Sequence, residues 1–166
     1  MLKRLPLIIA ILICCVGCDQ STKSFAKAHL SETQAISFLG DSVRLQIAKN
    51  YGAFLSLGDS ASAVVRSTLF TIGVAVMLVG MLVYSLRTRT KNPIVVPALA
   101  IIIGGGVSNL IDRLAYGGYV VDFLNLGVGS IRTGIFNVAD MFIMCGVVGL
   151  TCSDLLLKMA TRSAAN

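Results

Sequence analysis

The chain has 166 residues, 55% of them hydrophobic and only 13% charged, against about 25% charged in a soluble domain. Such a composition cannot keep a wet surface, and the length suffices for one domain, so the bilayer is the expected solvent. The net charge of +6 does not indicate nucleic acid: no basic patch interleaves with aromatics, and Lys and Arg sit in the gaps between apolar runs, as membrane orientation requires.

The first apolar run, Leu5 to Gly17, is shorter than the roughly 20 residues a crossing helix needs. It spans only if the helix continues through Asp19 to about residue 25. The stretch "CVGCD" also mimics the end of an export signal, with Cys18 as a future lipidated N-terminus. Cys15 stands three positions before it, where such sites usually hold leucine, and an uncleaved first span is expected. The second apolar run covers 64–86, with Arg66 near its start. The third covers 94–114, and the fourth covers 137–157, with Asp140 near its start. Lys3 and Arg4, then Arg87, Arg89 and Lys91, then Lys158 and Arg162 flank these runs. Lys and Arg next to spans mark the cytoplasmic side. Both termini are therefore expected inside, with outer segments at about 26–63 and 115–136. Within these, "SVRLQIA" alternates apolar and polar residues, and "GYVVDFLNLG" is β-branched, aromatic and bounded by glycines. Both read as strands. The expected fold is an all-α integral membrane protein, residues 1–166 as one domain, with four transmembrane helices and a small outer β-sheet.

This topology gathers the unusual polar residues at one depth. Asp19 and Lys23 end the first span; Asn109, Asp112 and Arg113 end the third; Asp122 follows, and Asn137 and Asp140 open the fourth. A charge at the centre of a span costs roughly 2.5–3.5 kcal/mol by insertion scales, so such residues have partners or tasks. Spacings of three and four pair Asp19 with Lys23, and Asn109 with Asp112 and Arg113. Gly104, Gly105 and Gly106 permit close approach of a neighbouring or substrate helix. The five cysteines lie in apolar runs and the one histidine is His29, so neither a zinc set nor a disulfide framework is indicated. No cofactor is expected. Ser21 or Ser24 with Lys23 is a poor nucleophile pair, because such near neighbours on a helix point apart. Carboxylates remain: Asp19, Asp112, Asp122 and Asp140. Two close carboxyl groups share a proton, so one activates water while the other donates to a carbonyl oxygen. Asp122 and Asp140 lack a neighbouring cation in sequence, which favours them without deciding the pair. A non-enzymatic transporter subunit or assembly factor is the rival, with acids spread along a pathway at the midplane.

"DQSTK" (19–23), "KNYGAFLSLG", "GGGVSNLIDR", "YVVDFL" and "FNVAD", in this order and at these span ends, resemble the motifs of the bacterial type II (lipoprotein) signal peptidases over essentially the whole chain. The resemblance implies an aspartyl endopeptidase of the bacterial inner membrane, with Asp122 and Asp140 as its dyad. Asn50, Gly52, Asn109, Asp112, Arg113 and Asn137 would position substrate and dyad, supported by Asp19 and Lys23. Ala53 and Phe54 belong to the outer-loop motif. The substrate would be a prolipoprotein carrying diacylglycerol on the cysteine after the cleavage site. Membrane lipids and globomycin-type inhibitors would be further partners, the enzyme would be a monomer, and the outer segments would add a short helix to the sheet.

Overall fold

In a computed structural model of the chain, the residues described are 4–52 and 62–163. Leu5–His29 forms α1, with a proline in its first turn, where the missing N–H leaves no intrahelical bond unmade. The second helical run opens as α2 (Ala63–Arg66), widens into a π-helical segment at Ser67–Gly73 and continues as α3 (Val74–Arg87). Then follow α4 (Val95–Ala115) and α5 (Val138–Ser163). Strands β1 (Ile36–Phe38), β2 (Val43–Asn50), β3 (Val120–Val128) and β4 (Ile131–Arg132) form one antiparallel sheet in the order β1-β2-β3-β4.

Three helical runs, Leu5–His29, Val64–Arg87 and Val95–Ala115, are long and apolar enough to cross a membrane, and α5 contributes a shorter apolar stretch, Val138–Ser153. Their outward faces carry large apolar side chains such as Ile13, Val76 and Val79. A continuous apolar surface of that kind is stable against hydrocarbon and not against water. The helices alternate in direction. At one end the Arg4 guanidinium donates to the Thr88 carbonyl at 2.7 Å; at the other, the Ala139 N–H donates to Asp19 at 2.8 Å. The sheet covers this second end.

Both segments read as strands, one from its alternation and one from its composition, are β2 and β3, and they pair with each other. The first helix runs further than its apolar stretch suggests, to His29. Ala26 is buried under the sheet with Ile47, Val121 and Phe123, and Lys27 and His29 in the last turn suit the helix dipole. Sequence periodicity gave no sign of the π-helical segment. The short outer helix does not occur as a separate element among the described residues; residues 53–61, with the motif positions Ala53 and Phe54, lie outside them.

α4 is the buried axis of the bundle, and its glycine triplet explains why. A Cβ on Gly104 would sit 2.7 Å from Cys15 Cβ of α1. One on Gly105 would sit 2.5 Å from the Ala139 carbonyl of α5, and one on Gly106 would sit 2.6 Å from Leu78 of α3. Successive residues on a helix turn by about 100°, so three glycines in a row present bare backbone to three different neighbours. The triplet serves helix packing. Gly105→Ala is expected to lower the melting temperature in detergent, by about 1–3 kcal/mol of overpacking, because it meets backbone rather than a movable side chain. An unchanged melt would contradict this contact.

Candidate active site

The site lies where α1, α4 and α5 meet the sheet. α5 begins with a reciprocal cap. The Asn137 Oδ1 accepts the Asp140 N–H at 2.9 Å, and the Asp140 Oδ2 accepts the Asn137 N–H at 3.2 Å. This is the arrangement of a capping box, in which an N-cap side chain and the third helical residue satisfy each other's backbone. It accounts for the spacing in "FNVAD". Using its oxygen for the cap leaves Asn137 Nδ2 facing outward, where it donates to Asp122 Oδ1 at 2.6 Å and to Asn109 Oδ1 at 3.1 Å. One asparagine therefore touches both Asp122 on β3 and Asp140 on α5. The register between β2 and β3 shifts between Leu45 and Ala48, immediately before the Ala48–Asp122 pair; bulges next to a site re-aim its side chains. The Phe136 carbonyl accepts the N–H groups of Phe123 and Leu124 at 3.0 and 2.8 Å, tying the start of α5 to β3.

Two further asparagines follow the same logic. Asn50 Oδ1 accepts the Gly52 N–H at 2.9 Å, and its Nδ2 donates to Asp122 Oδ2 at 2.9 Å. Asn109 Oδ1 accepts from Lys23 Nζ at 3.0 Å, and its Nδ2 donates to Asp140 Oδ1 at 2.9 Å. Lysine has only donors, so Lys23 fixes which way the Asn109 amide points. In all three asparagines the oxygen is held by a donor, and the NH₂ is turned to a carboxyl group. Asp122 and Asp140 are buried, and among the described residues neither has a cation within ion-pair distance. Burial, and then the negative charge of Asp140, push the Asp122 carboxyl up to about 7.

Asp19 and Asp112 are a different pair of acids. Lys23 Nζ lies 2.7 Å from Asp19 Oδ2 and 2.9 Å from Asp112 Oδ2, and with Asn109 all three of its donors are used. Ser108 Oγ donates to Asp19 at 2.7 Å; Gln20 Nε2 and the Val121 N–H donate to Asp112 at 2.8 and 3.0 Å. This fully bonded core fastens α1, α4, α5 and β3 together. Asp112 pairs with Lys23 and not with its sequence neighbour Arg113, since adjacent helical residues do not share a face. Gln20 and Ser108, quoted within motifs but given no role from sequence, are part of this core. A polar residue within an otherwise apolar helix is the signal that identifies Ser108.

Arg113 points instead to the loop after β2, donating to the Gly52 carbonyl at 2.6 Å and more weakly to the Asn109 carbonyl at 3.5 Å. Its Nε is buried with no partner among the described residues. It borders a cavity of about 280 Å³ that is lined by Phe70 of the π-helical segment, Val74, Met77, Gly106 and Asp140. A second apolar cavity of about 480 Å³ opens on the other side of Asp140, between Leu126, Phe136 and Met144. All ten residues singled out from the sequence converge at this end of the bundle. Asp19, Lys23 and Asp112 form the fastening core; Asn50, Gly52, Asn109, Asn137 and Arg113 surround the Asp122–Asp140 pair.

Apolar helices around a pair of buried, amide-held carboxyl groups define an integral membrane protein with a polar centre of the aspartic type. The family model for signal peptidase (SPase) II matches residues 11–156. The lipoprotein signal peptidase of Francisella tularensis subsp. novicida is 34% identical over 155 residues, covering 91% of both chains. That of Treponema pallidum is 36% identical over 153 residues, covering 88% of this chain and 81% of the relative. A bacterial membrane enzyme solved by the in meso method at 2.3 Å superposes with a TM-score of 0.78 at 24% identity, over 95% of this chain and 91% of that one, which is agreement of fold. The chain belongs to the signal peptidase II family of proteases.

Proposed function

We propose that this protein removes the signal peptide from prolipoproteins, cutting immediately before a cysteine that already carries diacylglycerol, with Asp122 and Asp140 as the catalytic pair. The observation that carries the reading is the single residue Asn137, whose side-chain amide donates to the Asp122 carboxyl and whose backbone N–H donates to that of Asp140, while the neutral amides of Asn50 and Asn109 donate to the same two carboxyl groups. A cation beside either would hold it ionised; amides allow one proton to be shared. The ionised member takes a proton from water as it attacks the scissile carbonyl, and the protonated member donates to that carbonyl's oxygen. The roles then reverse as the amine leaves. No covalent intermediate is needed. Arg113 Nε, buried and unpaired among the described residues, is placed to donate to a substrate carbonyl beside the cut.

The chain acts as one four-span domain with both termini cytoplasmic, in the inner membrane. The Asp122–Asp140 site then faces the outer side, where the end of a signal helix emerges. The apolar cavities on either side of Asp140 receive the lipid-borne parts of the substrate, and globomycin-type peptides occupy the same place. The enzyme works as a monomer among membrane lipids. The test is purified protein with a diacylglyceryl-modified signal peptide, the products being read by mass spectrometry. Release of a peptide ending one residue before the modified cysteine supports the reading. Equal cleavage of the unmodified peptide, or none of either, rejects it.

The position of Asp122 sets a pH dependence. With its carboxyl at about 7, the proton the pair needs is lost as pH rises through that value. Turnover should fall above about pH 7 on the alkaline limb. The folded state also holds this proton more tightly than the unfolded chain, whose aspartate titrates near 3.8. Stability therefore declines as pH rises from there to about 7 and is level beyond. Asp122→Asn should remove that decline in a pH series of melting curves.

A further inference from the structure

Charge is distributed unevenly along the bundle. In the sequence, the segments 1–4, 87–91 and 154–166 together hold seven basic residues and one acid, which accounts for the chain's whole net charge of +6. The remaining residues balance, seven basic against seven acidic. Among the described residues no ion pair involves Arg4, Arg87, Arg89 or Lys91. Arg4 does not range freely: its guanidinium is held by the carbonyls of Thr88 at 2.7 Å and Thr90 at 3.4 Å. A cavity of about 560 Å³ opens here, lined by Arg4, Leu86, Arg87, Thr88 and Arg89.

We propose that this cavity is a binding site for an anionic phospholipid, its phosphodiester taken by Arg4, Arg87 and Arg89. Orientation in the membrane requires only basic residues near span ends; it requires neither a cavity nor an arginine fixed by two carbonyls. The floor of the cavity distinguishes a lipid from free phosphate. Leu86 lines it, and Val83, one turn before Arg87 on α3, is 40% exposed, so an apolar surface continues along the helix from the arginines, as a glycerol backbone and its acyl chains need. Tyr84, one turn before Thr88, is 55% exposed, at the level where aromatic residues mark the boundary between hydrocarbon and headgroups. The site lies at the opposite end of the bundle from Asp122 and Asp140, and its occupant is not the substrate.

The test is native mass spectrometry of the full chain in detergent, titrated separately with phosphatidylglycerol and phosphatidylcholine of the same acyl chains. The expected result is preferential retention of one phosphatidylglycerol. Arg87→Gln/Arg89→Gln should weaken it by about thirtyfold and leave phosphatidylcholine retention unchanged, while Arg44→Gln, on the sheet, should leave both unchanged. Melting curves and cleavage activity of the double variant should match the parent, which separates loss of the lipid from loss of fold. Equal retention of the two lipids, or undiminished phosphatidylglycerol in the double variant, overturns the proposal. So does complete displacement of the lipid by millimolar inorganic phosphate, which would make this a free-anion site.

Discussion

Asp122→Asn and Asp140→Asn are each expected to lower the cleavage rate of a diacylated substrate by about 10³-fold or more, since either change removes one half of a proton-transfer pair. An amide can neither accept the proton of the attacking water nor return one to the leaving amine. Both variants should still fold. Burial and the Asp140 charge already favour the neutral form of Asp122, and an asparagine, like a protonated carboxyl, is neutral and keeps an acceptor oxygen. Asp140→Asn bears the larger structural cost, because Asp140 also closes the cap on α5. About 0.5–2 kcal/mol is expected for a damaged cap, which the helical bundle should survive. Single-turnover cleavage measured beside melting curves separates chemistry from fold. Near-normal turnover by either variant would reject the pair.

The local patterns in the sequence carried the fold further than they carried the site. Four apolar runs, one stretch of period-two alternation and one β-branched, glycine-bounded stretch appear as four helical runs and the paired strands β2 and β3. Asn137 and Asp140, placed by sequence at the opening of the fourth run, stand three residues apart and cap each other at the start of α5. Long-range partners were not legible in this way. That Asp112 pairs with Lys23 rather than Arg113 depends on the packing of α1 against α4. The widened turn at Ser67–Gly73 is likewise a tertiary outcome, in residues whose composition reads as ordinary helix. Orientation of the three asparagine amides follows from single hydrogen bonds made by Gly52, Lys23 and the Asp140 backbone. No periodicity encodes these. Family resemblance named the same residues from sequence, and the geometry supplies a physical reason for each.

Lys23→Met is expected to be the most destabilising single substitution, although Lys23 makes no hydrogen bond to Asp122 or Asp140. The lysine is 1% exposed and neutralises two acids that are themselves buried, Asp19 and Asp112. Removing it strands one or both charges in a dry interior, where breaking a buried pair costs about 3–5 kcal/mol. It also releases the Asn109 oxygen, so the amide that faces Asp140 loses the contact that orients it. Asp112→Asn should separate the two effects. It keeps Lys23 paired with Asp19 and bonded to Asn109, so it should lower the melting temperature while reducing kcat far less than either Asp122 or Asp140 variant. Adding Asp112→Asn to Lys23→Met removes one stranded charge and should recover part of the stability without recovering activity, because Asn109 still lacks its lysine. A double variant that regained full turnover would show that Lys23 contributes only charge balance. One that regained neither stability nor activity would place its main contribution at Asp19 and the start of α5.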